Sequence, residues 1–205
     1  ANLYPTAVEE LLQPSFVRKE FFLSILRRSL EPSVGYERLV SLMAKRSLTT
    51  VLTTNFDDLI ARTVKGARSV GHCVEIKTPS DYSMFDTASG VPQVIYLHGS
   101  VDHYTDKNLV NETQRLDDDL VELLRPLLRD HPLVVVGYRG AEPSVMRHLL
   151  LEQSVSCKNY RRGIYWCYRR GGDPLADSPL LRELQSQIQT NLQFVEIDGF
   201  EIAAA

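Results

Sequence analysis

Residues 51–64 read VLTTNFDDLIARTV. A short apolar, β-branched run ends in polar residues at 53–58, and a helical pattern of apolar residues resumes immediately afterwards. A buried strand followed at once by a helix is the unit from which parallel α/β sheets are built. The polar residues between them either cap the helix or form the floor of a binding site, and both interpretations are open at this point.

The same pattern recurs along the chain, with helical segments between most of the apolar runs. Because these runs are apolar throughout rather than alternating, they predict a parallel sheet covered by helices on both faces. The fold class is therefore α/β, of the doubly wound kind. The predicted strands are 48–54, 72–78, 93–99, 132–138, 163–169 and 192–198.

The first 47 residues have a helical pattern instead. Val17, Phe21 and Ile25 share one helical face, and Tyr36, Leu39, Val40 and Met43 define a second helix. We expect a single domain with a helical segment at about 1–47 and an α/β core at about 48–201, forming part of a longer protein.

Composition excludes several classes of protein. The formal charge of -3 gives no general attraction to nucleic acid or to an anionic membrane, and 43% hydrophobic residues are ordinary for a globular protein. No apolar run approaches the ~20 residues that span a bilayer, and the N-terminus has no signal-peptide pattern. We expect a cytoplasmic protein that binds neither nucleic acid nor membrane.

The cysteines and histidines predict that no metal is bound. Cys73, Cys157 and Cys167 are three in number and include no C-x-x-C pair, which argues against a disulfide framework and a four-cysteine zinc site. The five histidines show no ligand spacing either. A reducing compartment suits such a chain.

Three of the predicted strands end in unusual polar segments, TTNFDD, HGSVDH and GYRGAEPS. Ligands of open parallel sheets bind beyond the carboxyl ends of the strands, so these segments predict one crevice. Each also has an ordinary interpretation. Asn55 or Asp57 caps a helix, His98 is packed or solvated, and the segment around Gly137 is a plain strand-to-helix turn.

In combination these segments resemble a known family. TTNFDDLI at 53–60, YLHGS at 96–100 and VVVGYRGAEPSVMRHLL at 134–150 resemble the SIR2-like domain of the sirtuin superfamily. The resemblance is closer to the SIR2-like modules of bacterial anti-phage defence proteins, and it covers about residues 48–201. It implies a Rossmann-like sheet that binds NAD as substrate, and an NAD glycohydrolase that releases nicotinamide and ADP-ribose and depletes NAD during defence.

The resemblance also implies roles for individual residues. Asn55 would hold the nicotinamide ribose and the attacking water, and His98 would act as general base or ribose-hydroxyl partner. Asp57 would brace the pocket, and the backbone around Gly137 and Tyr138 would contact the adenosine side. The implied substrate-binding set is Thr53, Thr54, Asp57, Gly99, Ser100, Gly137, Tyr138 and Glu142.

Two departures from the family pattern keep alternatives open. The Gly-rich loop that cradles the pyrophosphate has no counterpart before Leu48, which favours a non-catalytic nucleotide-binding or assembly module. Only Cys73 lies between Asn55 and His98, so the paired-cysteine zinc module of deacylating sirtuins is missing and deacylation is disfavoured. Expected partners are NAD and either a second copy of the chain or a partner protein of a defence system.

Overall fold

The computed structural model describes residues 31–100 and 115–200, together with Val17, Glu20 and Ser24, which are helical. The remainder of the predicted helical segment before residue 31 lies outside the described residues. The chain divides into two compact units, residues 1–113 and 114–205, and each contains one sheet. No helix within the described ranges is both long enough and apolar enough to cross a bilayer.

The first unit is a three-stranded parallel sheet in the order β1-β3-β2. Its elements are α1 (Val34–Ala44), β1 (Thr50–Thr53), α2 (Leu59–Gly66), β2 (Val74–Ile76), a 3-10 helix (Pro79–Met84) and β3 (Gln93–Tyr96). All four residues of the central strand β3 are buried, as the apolar Val94, Ile95 and Tyr96 predict for a strand covered on both faces. The side-chain amide of the buried Gln93 is hydrogen-bonded to the backbone of Asp86.

The core of this unit lies between the sheet and its two α-helices. Val94 and Tyr96 alternate along β3, so they point to the same face. The apolar faces of α1 and α2 pack against them through Val40, Met43, Ile60 and Val64. The side chains that recur at helical spacing in the sequence are therefore the ones that contact the sheet.

The second unit is also a three-stranded parallel sheet, in the order β4-β5-β6. Its main elements are α3 (Asp118–Asp130), β4 (Leu133–Val135), a π helix (Ser144–Leu151), β5 (Ile164–Arg169), α4 (Pro174–Asp177), α5 (Pro179–Ile188) and β6 (Leu192–Ile197). Short 3-10 turns at Lys158–Tyr160 and Gln189–Asn191 precede β5 and β6. Leu181, Leu184 and Ile188 form the buried face of α5, which packs against the π helix.

The helix that follows β4 has π geometry at its end. The N–H of Glu152 donates to the carbonyl of Arg147, five residues earlier, at 2.8 Å. The buried Tyr160 hydroxyl lies 2.7 Å from the Leu150 carbonyl and 3.1 Å from that of Leu149, so it donates to carbonyls at the end of this helix. Burial raises the pKa of Tyr160, and the phenol therefore stays protonated as the donor.

The predicted α/β class with parallel sheets flanked by helices is confirmed. Each of the six predicted strands contains an observed strand, and the helices predicted around them are present. One detail differs from the prediction. The strands form two three-stranded sheets rather than one hydrogen-bonded sheet.

Candidate functional site

Asn55 and His98 lie at the same edge of the first sheet. Thr53 and Tyr96 are partners in the parallel register of β1 and β3, and the Leu97 N–H continues this ladder by donating to the Thr53 carbonyl at 2.9 Å. Asn55 and His98 each follow one of these paired residues by two positions. The carboxyl ends of two adjacent strands therefore bring these two predicted residues to one rim.

Asn55 is not the residue that caps α2. The Asp57 carboxylate accepts a hydrogen bond from the Leu59 N–H at 3.1 Å, whereas Asn55 is exposed and its backbone N–H donates to Thr53 Oγ1 at 3.0 Å. Its side-chain amide makes no hydrogen bond within the described ranges. Asp57 therefore supports the start of α2 beside the N-cap residue Asp58, the Asn55 amide is exposed at the rim, and a role of Asn55 in a site stays a prediction.

Negative charge accumulates beside Asn55. Burial raises the pKa of the half-buried Asp57 carboxyl, the Leu59 N–H partly offsets this, and neighbouring Asp58 raises the pKa further. Asp57 in turn raises the pKa of two phenols, Tyr36 on α1 and Tyr96 on β3, although burial is the larger cause in both. The Asp57 carboxylate is thus close enough to both rings to act on them electrostatically.

His98 and Ser100 are buried where β3 ends. They are 9% and 5% exposed, and Gly99 between them has a φ of +76°. A Cβ added at Gly99 would lie 3.7 Å from the Lys77 carbonyl, so the turn passes close to the end of β2. The Ser100 hydroxyl is buried without a hydrogen-bond partner in the described part of the chain. An unsatisfied buried hydroxyl costs about 1–3 kcal/mol, which makes it a candidate ligand contact.

The end of β2 contributes charged residues that the sequence interpretation missed. The Lys77 ammonium lies 2.8 Å from Glu75 Oε2 and 5.4 Å from the centre of the Tyr96 ring. Burial alone would raise the pKa of Glu75, but the Lys77 hydrogen bond and charge, together with Lys65, hold it below its usual range. The rule that identified the other strand ends would have found Lys77, because HCVEIKT is also an apolar run ending in polar residues.

The remaining predicted residues lie together in one turn of the second unit, after β4. Gly137 and Gly140 have φ values of +71° and +70°, in the left-handed region that favours glycine. The Tyr138 hydroxyl donates to the Glu142 carbonyl at 3.4 Å. Burial and the Glu142 charge raise the pKa of Tyr138. The crevice predicted to join Asn55, His98 and Gly137 involves both units and stays a prediction.

Two residues that contact this turn were not predicted. The Trp166 ring on β5 lies 5.9 Å from that of Tyr138, measured between centroids. The Ser178 hydroxyl donates to the Gly140 carbonyl. Both contacts join residues that are far apart in the sequence, so no local pattern predicts them. Ser178, for example, lies 38 positions beyond Gly140.

Comparison with known protein families shows which family the chain belongs to. A family model for the SIR2-like domain matches residues 49–189, which is more than half of the 205-residue chain. The chain belongs to the SIR2-like domain family. A search of curated proteins found no match. The SIR2-like domain is Rossmann-like, and membership of the family indicates an NAD-related function of the sirtuin type.

The match to the SIR2-like domain includes every predicted site residue from Thr53 to Glu142. Within the ranges that the structure describes, no group of three or more histidine, cysteine or acidic side chains is arranged to hold a metal ion. Cys73, Cys157 and Cys167 are free thiols. The roles of the individual residues remain predictions.

Proposed function

We propose that this SIR2-like domain is an NAD glycohydrolase that releases nicotinamide and ADP-ribose, and that it serves bacterial anti-phage defence by depleting NAD. The observation that carries the proposal is the placement of Asn55 and His98 at one rim, each two positions after Thr53 and Tyr96, which are partners in the register of two adjacent parallel strands. An exposed amide beside a buried imidazole is suited to orienting a ribose and a water molecule.

In the proposed reaction, water adds to the anomeric carbon of the nicotinamide ribose as the carbon–nitrogen bond breaks. The bonding electrons pass to the pyridinium nitrogen, so nicotinamide leaves as a neutral molecule and no strong acid is required. The transition state has oxocarbenium character, as in glycoside hydrolysis. Asn55 orients the ribose and the water, and His98 accepts the proton that the water loses, a role that imidazole fills near neutral pH.

The surroundings of the rim fit the cationic, hydroxyl-rich nicotinamide-ribose end of NAD. The Asp57 carboxylate lies in the same segment as Asn55 and favours the positively charged nicotinamide ring. The Ser100 hydroxyl, which has no hydrogen-bond partner among the described residues, is two positions from His98 and gains a partner if it contacts a ribose hydroxyl. We assign Thr53, Thr54 and Gly99 to the walls of this pocket.

We assign Gly137, Tyr138 and Glu142 to the adenosine side of the substrate. Gly137, in the left-handed conformation after β4, is exposed, and an added Cβ there would meet nothing within 4 Å, so a nucleotide can approach its backbone closely. The turn leads directly into a helix, as in other sheets that bind nucleotides at a strand-to-helix junction.

A second candidate is a non-catalytic nucleotide-binding or assembly module. It is favoured by the sequence before Leu48, which contains no Gly-rich loop to cradle a pyrophosphate. Either function suits a cytoplasmic protein that acts as a homo-oligomer or with a partner of a defence system. Retention of both Asn55 and His98 favours the enzyme.

One experiment distinguishes the two candidate functions. The full-length protein, in its activated form, is incubated with NAD, and free nicotinamide and ADP-ribose are measured against time. An NAD glycohydrolase releases the two products in equal amounts. Binding of NAD by calorimetry without product release would support the module instead. Transfer of acyl groups from an acetylated peptide to ADP-ribose would revive deacylation.

A further inference from the structure

Ser178 makes two hydrogen bonds that belong to different parts of the second unit. Its hydroxyl oxygen accepts from the Leu181 N–H at 3.1 Å, which makes it the N-cap of α5. The same hydroxyl donates its proton to the Gly140 carbonyl. Ser178 is 0% exposed, so its single donor is committed to Gly140 without competition from water.

Gly140 is held tightly from two sides. A Cβ at this position would lie 3.1 Å from Trp166 Cζ2 and 3.2 Å from Ser178 Oγ, closer than ordinary van der Waals contact. At Gly137, at the other end of the turn, an added Cβ would meet nothing within 4 Å. The turn is therefore anchored at Gly140 and open at Gly137.

We propose that Ser178 is a positioning residue for substrate binding: by holding the Gly140 carbonyl, it fixes the turn that contacts the adenosine side of NAD. This inference rests on the proposed function. Glycine samples many backbone conformations, and a ligand that must select one of them loses affinity. The Ser178 hydrogen bond removes this cost before the ligand arrives, so it strengthens binding without touching the substrate.

The alternative is that Ser178 only caps α5, and the chain offers a matched control for that role. Asp173 caps the neighbouring α4 by accepting from Leu175 N and Ala176 N, at 3.0 and 3.2 Å. Both caps are followed by Pro-Leu, at 174–175 and 179–180. Glycine retains most of the capping preference of serine, so Ser178→Gly removes the donor to Gly140 while largely sparing the helix.

The test compares the full-length parent with Ser178→Gly and Asp173→Gly in steady-state NAD hydrolysis, ADP-ribose binding and thermal melting. For Ser178→Gly we expect KM for NAD and Kd for ADP-ribose to rise about tenfold, with kcat within about twofold. Inhibition by nicotinamide stays unchanged, because nicotinamide is assigned to the Asn55 rim. Asp173→Gly leaves all of these constants at the parent values.

The possible failures are distinguishable. If the parent neither hydrolyses NAD nor binds ADP-ribose, the proposed function is wrong and the inference falls with it. If the parent is active and Ser178→Gly keeps the parent KM, only the inference is overturned. It is also overturned if Ser178→Gly lowers kcat at constant KM, or if both variants change KM equally.

Discussion

The rim of the first sheet and the turn after β4 in the second unit are built in opposite ways. The rim presents side chains: an exposed Asn55, a buried His98 and a Ser100 hydroxyl that has no partner among the described residues. The turn presents backbone, shaped by two left-handed glycines and anchored by the buried Ser178. The rim offers side-chain atoms to a substrate, whereas the turn offers a backbone surface whose shape is fixed by a neighbouring hydrogen bond.

The largest expected effect follows removal of the imidazole at the rim. His98→Ala is predicted to lower kcat for NAD hydrolysis at least about 100-fold, because a positioned general base contributes about 10²–10⁴-fold. His98 is buried, so a stability loss of about 1 kcal/mol and a melting temperature lower by about 2–4 °C are also expected. Steady-state nicotinamide release and calorimetry measure the two effects.

The control for His98 is His72, an exposed histidine of the same unit. His72→Ala is expected to retain the parent kcat and melting temperature. Equal losses in the two variants would remove the distinction between the rim and the rest of the unit's surface.

In the turn, the largest expected effect is on stability. Gly140→Ala forces a Cβ to 3.1 Å from Trp166 at a φ of +70°, so we expect a loss of about 2–4 kcal/mol from left-handed strain and overpacking combined. Gly137→Ala has a similar φ but open space, and only the left-handed cost of about 1–2 kcal/mol applies. Urea unfolding of both variants measures the difference, and equal losses would show that Gly140 is not anchored.

The smallest predicted effect compares charged pairs in the two units. Lys77 and Glu75 are 15% and 19% exposed, whereas Arg147 and Glu183, 3.3 Å apart, are 51% and 50% exposed. Glu75→Gln is expected to cost about 1–2 kcal/mol at pH 7, because it leaves the Lys77 ammonium partly buried without its carboxylate. Glu183→Gln is expected to change stability by at most about 0.5 kcal/mol, as exposed pairs do.

The pH dependence of the Glu75 effect has a definite sign. Because the folded-state pKa of Glu75 is lowered, its stabilising contribution is present above the unfolded pKa of about 4.3 and is lost as the pH falls below it. The stability difference between parent and Glu75→Gln should therefore shrink between about pH 5 and pH 3. A difference that is constant across that range would mean that packing, and not charge, is the cause.

Much of the architecture could be predicted from the sequence, because the hydrophobic pattern specifies it locally. The apolar run at 94–97 predicts a buried strand, and the spacing of Val40 and Met43 predicts a helix that packs on a sheet. The π geometry at the end of Ser144–Leu151 could not be predicted, since apolar spacing does not reveal which carbonyl each N–H reaches. Nor does the pattern of strands reveal that they divide into two sheets.

Some features of the candidate site could likewise be predicted from the sequence, and others could not. The parallel register that brings Asn55 and His98 to one rim follows from two strands that each end in polar residues. Which side chain meets the start of α2 did not follow, because Asn55 and Asp57 are both good capping residues. The structure places Asp58 at the N-cap without a side-chain hydrogen bond, and the Asp57 carboxylate accepts from the Leu59 N–H. The contact between Ser178 and Gly140 depends on tertiary packing across 38 positions.

The most direct test of the account is nicotinamide release by the full-length protein and its Asn55→Ala variant, with thermal melting of both in parallel. The Asn55 side chain is exposed and makes no hydrogen bond within the described ranges, so its removal should leave the melting temperature within about 1 °C. The account predicts loss of at least about 99% of the nicotinamide release at this unchanged melting temperature. Release at the parent rate, or a loss of activity that follows a matching fall in melting temperature, would contradict it.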